Sequence, residues 1–283
     1  MKKQNVLDFF LESKDQTVSG ETFQLLYDQE YDMLVTSPKP EEKEIHKYYQ
    51  SEDYISHTDA KRSLFEKMYH IVKVFSLKKK TKLITRLNKG TGSLLDIGAG
   101  TGDFLMVAKN KGWFVEGVEP SDQAKELAID KGVTLQDDTS NLDSESFDII
   151  TMWHVLEHVP NPKDQIKELR RLLKPNGFAV IAVPNFKSYD ATYYKSFWAA
   201  YDVPRHLWHF SKKAVQKLFL EEEMILEKIL PMKFDSFYVS LLSEKYKTGV
   251  MNFFKAFVVG FRSNMKAKRS REYSSHIYVL KKR

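Results

Sequence analysis

The 283-residue chain contains no cysteine, which excludes disulfides and cysteine-ligated zinc alike. It also lacks any run of ~18 uninterrupted apolar residues, so no transmembrane helix is expected. The most apolar stretch, 250–261, is short and is broken by Lys255. The opening Met1-Lys2-Lys3-Gln4-Asn5 is not followed by the apolar run of a secretory signal, and these absences leave a cytoplasmic location as the expectation. Acidic residues are missing from 73–89, where Lys73, Lys78, Lys79, Lys80, Lys82, Arg86 and Lys89 stand together. A second basic cluster holds Arg262, Lys266, Lys268, Arg269 and Arg271, and the net charge is +6. Such runs can attract phosphates, but they are more often a solvated helix face. There is no internal repeat. Hydrophobic content of 42% supplies a full core.

The most informative feature present is Ser93-Leu94-Leu95-Asp96-Ile97-Gly98-Ala99-Gly100-Thr101-Gly102-Asp103. An apolar strand ends beside an acid, and glycine then fills alternate positions. Without a Cβ, such a backbone turns tightly and lets a ligand approach closely. Strand–glycine loop–helix junctions hold nucleotide-like ligands in doubly wound α/β folds. Asp103 stands where the dinucleotide fingerprint has its third glycine, and the lysine of a phosphate loop is absent. The pattern suits a ligand with a ribose and a cationic sulfonium better than a pyrophosphate.

Further landmarks follow in order. Residues 113–121, WFVEGVEPS, read as a second strand ending in Glu119, about twenty residues after the glycine loop, where an acid that holds ribose hydroxyls belongs. Val133–Leu135 read as a third strand, Phe147–Trp153 as a fourth, PKDQIKELRRLLKPNG as a helix and Phe178–Asn185 as a fifth strand. Together these landmarks resemble the class I S-adenosylmethionine-dependent methyltransferases from about residue 90 onward. The resemblance implies an α/β, Rossmann-like, doubly wound seven-stranded mixed sheet whose last strand, Ser275–Leu280, is antiparallel beside a sixth at Met224–Ile229. It implies S-adenosyl-L-methionine as cofactor and S-adenosyl-L-homocysteine as product. Asp96, Gly98, Ala99, Gly100, Thr101, Gly102, Glu119, Pro120, Asp138, Trp153 and His154 become the expected cofactor residues. Asp96 would steer the ammonium, Glu119 the ribose and Asp138 (or its neighbour Asp137) the adenine amino group.

The expected domain organisation has three parts. Residues 1–58 form an N-terminal appendage, with strands at Thr22–Tyr27 and Met33–Thr36 and a short helix at Glu41–Tyr49. Some bacterial methyltransferases similar to this chain carry a zinc ribbon there, so the segment resembles a degenerate ribbon without its cysteines. Residues 59–89 form a helical connector against the sheet, and 90–283 the methyltransferase domain. Within the latter, 186–210 is rich in aromatics and reads as a cap over the acceptor pocket. Ser211 is a candidate N-cap, and 234–242 and 248–263 read as helices.

Methyl transfer requires donor and acceptor to be aligned and water excluded, and an acceptor hydroxyl can also need a general base. His154, Glu157 and His158, spaced i, i+3, i+4, are expected to share one face of a helical turn after the fourth strand. With His209 they form the candidate catalytic set. Three readings stay open: His154 or His158 as base helped by Glu157; a divalent metal at these residues, with His209 or His206 as a fourth ligand; or a structural brace. The metal reading rests on similarity to ubiquinone-pathway O-methyltransferases and small-RNA 2′-O-methyltransferases, whose motif has Glu where this chain has His154. No metal is assigned. The expected reaction is transfer to oxygen of a small-molecule or glycan-type acceptor, since Asn-Pro-Pro-Tyr, expected for amine or amide acceptors, is absent. The alternatives are an RNA 2′-O-methyltransferase, which would make nucleic acid a partner, and a non-catalytic S-adenosylmethionine-binding module. The apolar patch at Phe253, Phe254, Phe257 and Val258 leaves room for peripheral membrane contact or a homodimer.

Overall fold

A computed structural model describes residues 7–49 and 64–283. The stretch 50–57 and the expected boundary at 58–59 lie outside the described residues, as do Met1–Asn5. Strands β1 (Leu7–Lys14), β2 (Thr22–Asp28) and β3 (Met33–Ser37) form an antiparallel meander, followed by the single-turn helix α1 (Glu42–Ile45) and a 3₁₀ turn at His46–Tyr49. The sequence reading missed β1. Its residues are mostly solvent-exposed, so it carries no clear buried face. Helix α2 (Leu64–Leu87) leads into the main sheet.

That sheet is built from β4 (Ser93–Ile97), β5 (Phe114–Val118), β6 (Phe147–Trp153), β7 (Leu173–Pro184), β9 (Met224–Pro231) and β10 (Ser275–Lys282). Its order is β5-β4-β6-β7-β10-β9. The first four strands are parallel, and β10 runs antiparallel to both β7 and β9. The central β4 is buried along nearly its whole length, as a parallel strand covered on both faces must be. Helices α3 (Asp103–Lys109), α4 (Asp122–Ile129), α5 (Pro162–Leu172) and α7 (Lys212–Glu221) cross between strands. The last three of these starts have a side-chain cap. Asn161 caps α5 with Pro162 in its first turn, and Ser121 and Ser211 accept the backbone N–H of Ala124 and Ala214.

The fold class is as expected, but among the described residues the sheet has six strands, not seven. The third strand shrinks to a single bridge between Val118 and Gln136. Gln136 exchanges backbone hydrogen bonds with Gly117 and Glu119, and the chain then turns away as Asp138 accepts from Ser140 N–H. The helix over PKDQIKELRRLLKPNG also ends earlier than expected, at Leu172, and the rest joins β7.

Between β7 and α7 lie α6 (Tyr189–Tyr194), two 3₁₀ turns and the two-residue strand β8 (Trp208–His209). β8 pairs with β3 and completes a four-stranded N-terminal sheet. Phe23, Leu25 and Leu34 of that sheet share one core with Tyr194, Trp198 and Tyr201. Most aromatics of the expected cap are therefore interior packing. Arg205 fastens the same joint: it donates to Asp202, to Asp15 at 3.0 Å and to the Tyr48 carbonyl. Helices α8 (Asp235–Thr248) and α9 (Phe253–Ser270) form a hairpin between β9 and β10.

Candidate active site

The parallel strands β4, β5 and β6 converge on one carboxyl-end crevice. Gly98, Gly100 and Gly102 all have left-handed φ, at 70°, 54° and 72°, a conformation open to glycine at little cost. At Gly98 a Cβ would also strike Val155 at 2.4 Å, whereas above Gly100 it would meet nothing within 4 Å. The loop is thus pressed onto the β6 side and open toward the crevice. Glu119 braces it, accepting from Gly100 N–H at 2.9 Å and from Ser121 N–H at 3.0 Å. Each carboxylate oxygen keeps further acceptor capacity.

Beneath the loop, Asp96 is buried and accepts from Thr151 Oγ1. Burial pushes its pKa upward against the Thr151 bond and the charge of Lys80, and the charge of Glu119 adds to the rise. Lys80 comes from α2 and lies over the Trp153 ring, 4.2 Å from its centroid. Burial lowers its pKa, while Asp96 and Asp235 oppose the drop. Asp103 holds Lys73 at 2.7 Å and Lys131 at 3.0 Å, so α2 is fastened to the start of α3. The basic run of α2 is therefore only partly a solvated face.

At the end of β6 the expected helical turn is absent. His154 has φ 60°, a strained value for a residue with a Cβ, and residues 155–159 form a turn in which His158 N–H donates to Val155 O. The left-handed step swings the His154 ring between two carboxylates. Nδ1 lies 3.3 Å from Glu157 and Nε2 lies 3.1 Å from Asp235, at the start of α8. Burial disfavours the imidazolium, but Asp235 and Glu157 more than offset it and raise the His154 pKa to about 9. Glu157 is only 1% exposed, and neither oxygen has a well-aligned hydrogen bond among the described residues. Burial raises its pKa, but the charge of His154 outweighs this and lowers it.

His158 faces a second group. Its Nδ1 donates to Arg205 O at 3.1 Å and lies 3.0 Å from the Tyr49 hydroxyl. His206 Nδ1 donates to Ala200 O at 2.9 Å, and the two rings meet edge-on at 4.5 Å. A carbonyl only accepts, so each Nδ1 carries its proton, and His206 Nε2 lies 3.9 Å from the Asp202 carboxylate. Burial, helped by His206, drives the His158 pKa down to about 4. Glu157, His158 and His206 each offer one ligand atom, all within 4.8 Å of one another. Two imidazoles and one buried carboxylate suit a zinc-like ion better than magnesium. His154 is not in this group. His209 lies in β8, 3.1 Å from Thr36 Oγ1, and burial holds its pKa well below the usual value.

Strand order, glycine loop and terminal acid together describe one architecture. The family model for a methyltransferase domain matches residues 61–222, more than half of the chain. The chain belongs to the class I S-adenosylmethionine-dependent methyltransferases. Similar curated relatives are ubiquinone biosynthesis O-methyltransferases. That of Coxiella burnetii is 33% identical over 134 residues, 44% of this chain and 56% of the relative. That of Haemophilus ducreyi is 31% identical over 106 residues, 32% and 45%. The chain thus spans about half the length of the curated relatives it matches. Among solved structures, magnesium protoporphyrin IX methyltransferase from Synechocystis PCC 6803, with bound SAH, aligns with TM-score 0.58 at 13% identity, covering 86% of this chain and all of that one. Geranyl diphosphate C-methyltransferase from Streptomyces coelicolor aligns with TM-score 0.53 at 15% identity, covering 80% and 88%. At these identities the likeness is one of fold.

In this methyltransferase the residues expected from sequence separate into distinct places. The glycine loop and Glu119 line the crevice with Trp153 and His154 at the end of β6, Asp96 lies buried beneath the loop, and the indole N–H of Trp153 is buried without a hydrogen-bond partner among the described residues. Asp138 is exposed at the turn with Ser140, and Asp137 is engaged by Lys125. Sequence reasoning missed Lys80 and Asp235 as site residues. Neither sits in a motif, and only the packing of α2 and α8 on the crevice brings them in.

Proposed function

We propose that the enzyme transfers the methyl group of S-adenosylmethionine to an oxygen of a small-molecule acceptor, a glycan-type acceptor being within the same class. The observation that carries the proposal is the His154 arrangement: an imidazole at the cofactor crevice with a buried carboxylate on Nδ1 and a partly exposed one on Nε2. The names of the curated relatives, O-methyltransferases, support the same atom class. We assign the glycine loop 98–102 and Asp96 to the amino-acid end of the cofactor, Glu119 and Pro120 to the ribose, Asp138 to the adenine and Trp153 to the crevice wall. The division into an appendage (1–58), a connector (59–89) and the methyltransferase domain (90–283) belongs to the same proposal.

Bound cofactor supplies an electrophilic methyl group. The chain's own task is to orient the acceptor hydroxyl and remove its proton. With both carboxylates in place His154 is a cation and cannot act as a base. An acceptor hydroxyl that displaces Asp235 from Nε2 removes one of the two charges that raise the pKa. Glu157 keeps the Nδ1 proton in place, and Nε2 takes the hydroxyl proton as the oxygen–methyl bond forms and the sulfur–methyl bond breaks. His158 and His209, held neutral and tied to Arg205 O and Thr36, are assigned to positioning.

A second reading is favoured by one observation, the Glu157–His158–His206 group with its unsatisfied carboxylate. A divalent ion there would draw Glu157 away from His154. Calorimetric titration with S-adenosylmethionine and S-adenosylhomocysteine, before and after a chelator, tests both readings. It is followed by labelled-methyl transfer to phenolic, sugar, amine and RNA acceptors. Micromolar binding with transfer to hydroxyl acceptors supports the proposal, and transfer only to amines or RNA overturns it. No cofactor binding by folded protein would favour a non-catalytic module, and loss of affinity on chelation would favour the metal reading.

A further inference from the structure

Helix α9 is inverted relative to an ordinary surface helix. Its buried face is made of small residues, Ala256, Val259, Gly260, Ser263 and Ala267. Its large residues point outward at spacings of three and four: Phe254, Phe257 and Phe261, 80%, 59% and 51% exposed, and then Met265. A solvated helix places polar groups there. The helix cannot roll to hide these rings. At Gly260 a Cβ would meet the Phe237 ring at 2.8 Å and Ser236 O at 3.0 Å, so only this face fits against α8. The rings form an ordered comb, with Phe237 stacked on Phe257 and Phe257 on Phe261, at 5.5 and 6.3 Å. Val250 and Met251 extend the apolar surface at the start of α9.

Charge follows the same geometry. No acidic residue occurs in Phe253–Ser270, and Arg262, Lys268 and Arg269 are exposed along and beyond the aromatic stripe. Bulky apolar groups flanked by cations match the interface of an anionic bilayer, where rings enter the headgroup–acyl boundary and cations meet lipid phosphates. A second copy of this chain would bring like charges together along the stripe. No helix among the described residues is long and apolar enough to cross a membrane, so α9 would lie on the surface.

We infer that the outward face of α9 docks the enzyme on an anionic lipid surface. The inference does not depend on the identity of the methyl acceptor.

The test is co-sedimentation of the full chain with vesicles of phosphatidylcholine alone and with phosphatidylglycerol added at roughly one part in three. The expected result is binding to the anionic vesicles that weakens as salt is raised. F254S/F261S should reduce binding at least about tenfold, and R262E/K268E should remove the preference for anionic lipid. Circular dichroism and cofactor titration, unchanged in both variants, show that fold and cofactor site survive. Wild-type protein that stays in the supernatant overturns the inference. So does a concentration-dependent dimer, abolished by F254S/F261S, in protein that ignores vesicles, because the comb would then be a contact between copies.

Discussion

His154 is where backbone strain, burial and charge meet. Its left-handed φ puts one ring between Glu157 and Asp235, and that placement decides its protonation. Asp235→Asn removes one stabilising charge and should lower the His154 pKa, shifting the rising limb of the kcat/KM–pH profile toward acid. An unmoved limb would take His154 out of the proton-transfer role. His154→Ala should leave cofactor affinity intact and lower kcat by roughly 10²–10⁴-fold. Glu119→Ala should weaken cofactor binding by about 1–3 kcal/mol in calorimetry, as loss of a charge-assisted acceptor does. Glu119, His154 and Glu157 were legible in the sequence because their spacing from the glycine loop and from β6 is local. Asp235 and Lys80 were not, since their place depends on how helices remote in sequence pack. The helical turn expected at 154–158 gives way to a cross-strand contact instead. His154 N–H donates to Ala182 O, which carries the β6 ladder one residue further and delays the turn.

At the scale of elements, the joint between the N-terminal sheet and the 186–210 segment rests on Arg205. The side chains of Arg205 and Asp15 are 2% and 0% exposed. Burial opposes the Asp15 charge, but backbone N–H donors and Arg205 overcome it and bring the pKa down to about 2. Arg205→Ala removes the guanidinium that Asp15 and Asp202 share and should cost about 3–5 kcal/mol, read as a lower midpoint in urea. The sign of the acid response follows. With a folded pKa below the ordinary carboxylate value, the Asp15 contribution is complete above about pH 4 and is lost as pH falls toward 2. Strand periodicity revealed β2 and β3, but nothing local announced that two residues of the later segment would become their neighbour. Composition alone does not distinguish rings that line a crevice from rings that fill a core, and Tyr194, Trp198 and Tyr201 fill one.

For the whole molecule, the buried histidines set a stability optimum. His158 and His276 have folded pKa values of about 4, and that of His209 lies well below normal. The unfolded chain binds more protons at these sites below about 6.5, so acidification through that range destabilises the fold. His154 works in the opposite sense. Its folded pKa of about 9 holds a proton that the unfolded chain releases near 6.5, so its contribution is present below 6.5 and is lost as pH rises through 9. Thermal unfolding across pH should give a Tm dome centred near neutrality, and a flat Tm between pH 5 and 9 would contradict these assignments. The parallel strands themselves are readable as apolar runs because they are buried on both faces, whereas the antiparallel place of β10 beside β9 was expected only from the resemblance to the methyltransferase family.

The pairing of β8 with β3 bears on how the chain is made. Thr36 and His209 touch across 173 positions, so β1, β2 and β3 leave the ribosome long before their fourth strand has been translated. Until then the β3 edge is exposed to any passing strand, a known route to aggregation. Completion of that four-stranded sheet must follow synthesis of most of the methyltransferase domain, so a segment translated before the domain is finished only after it.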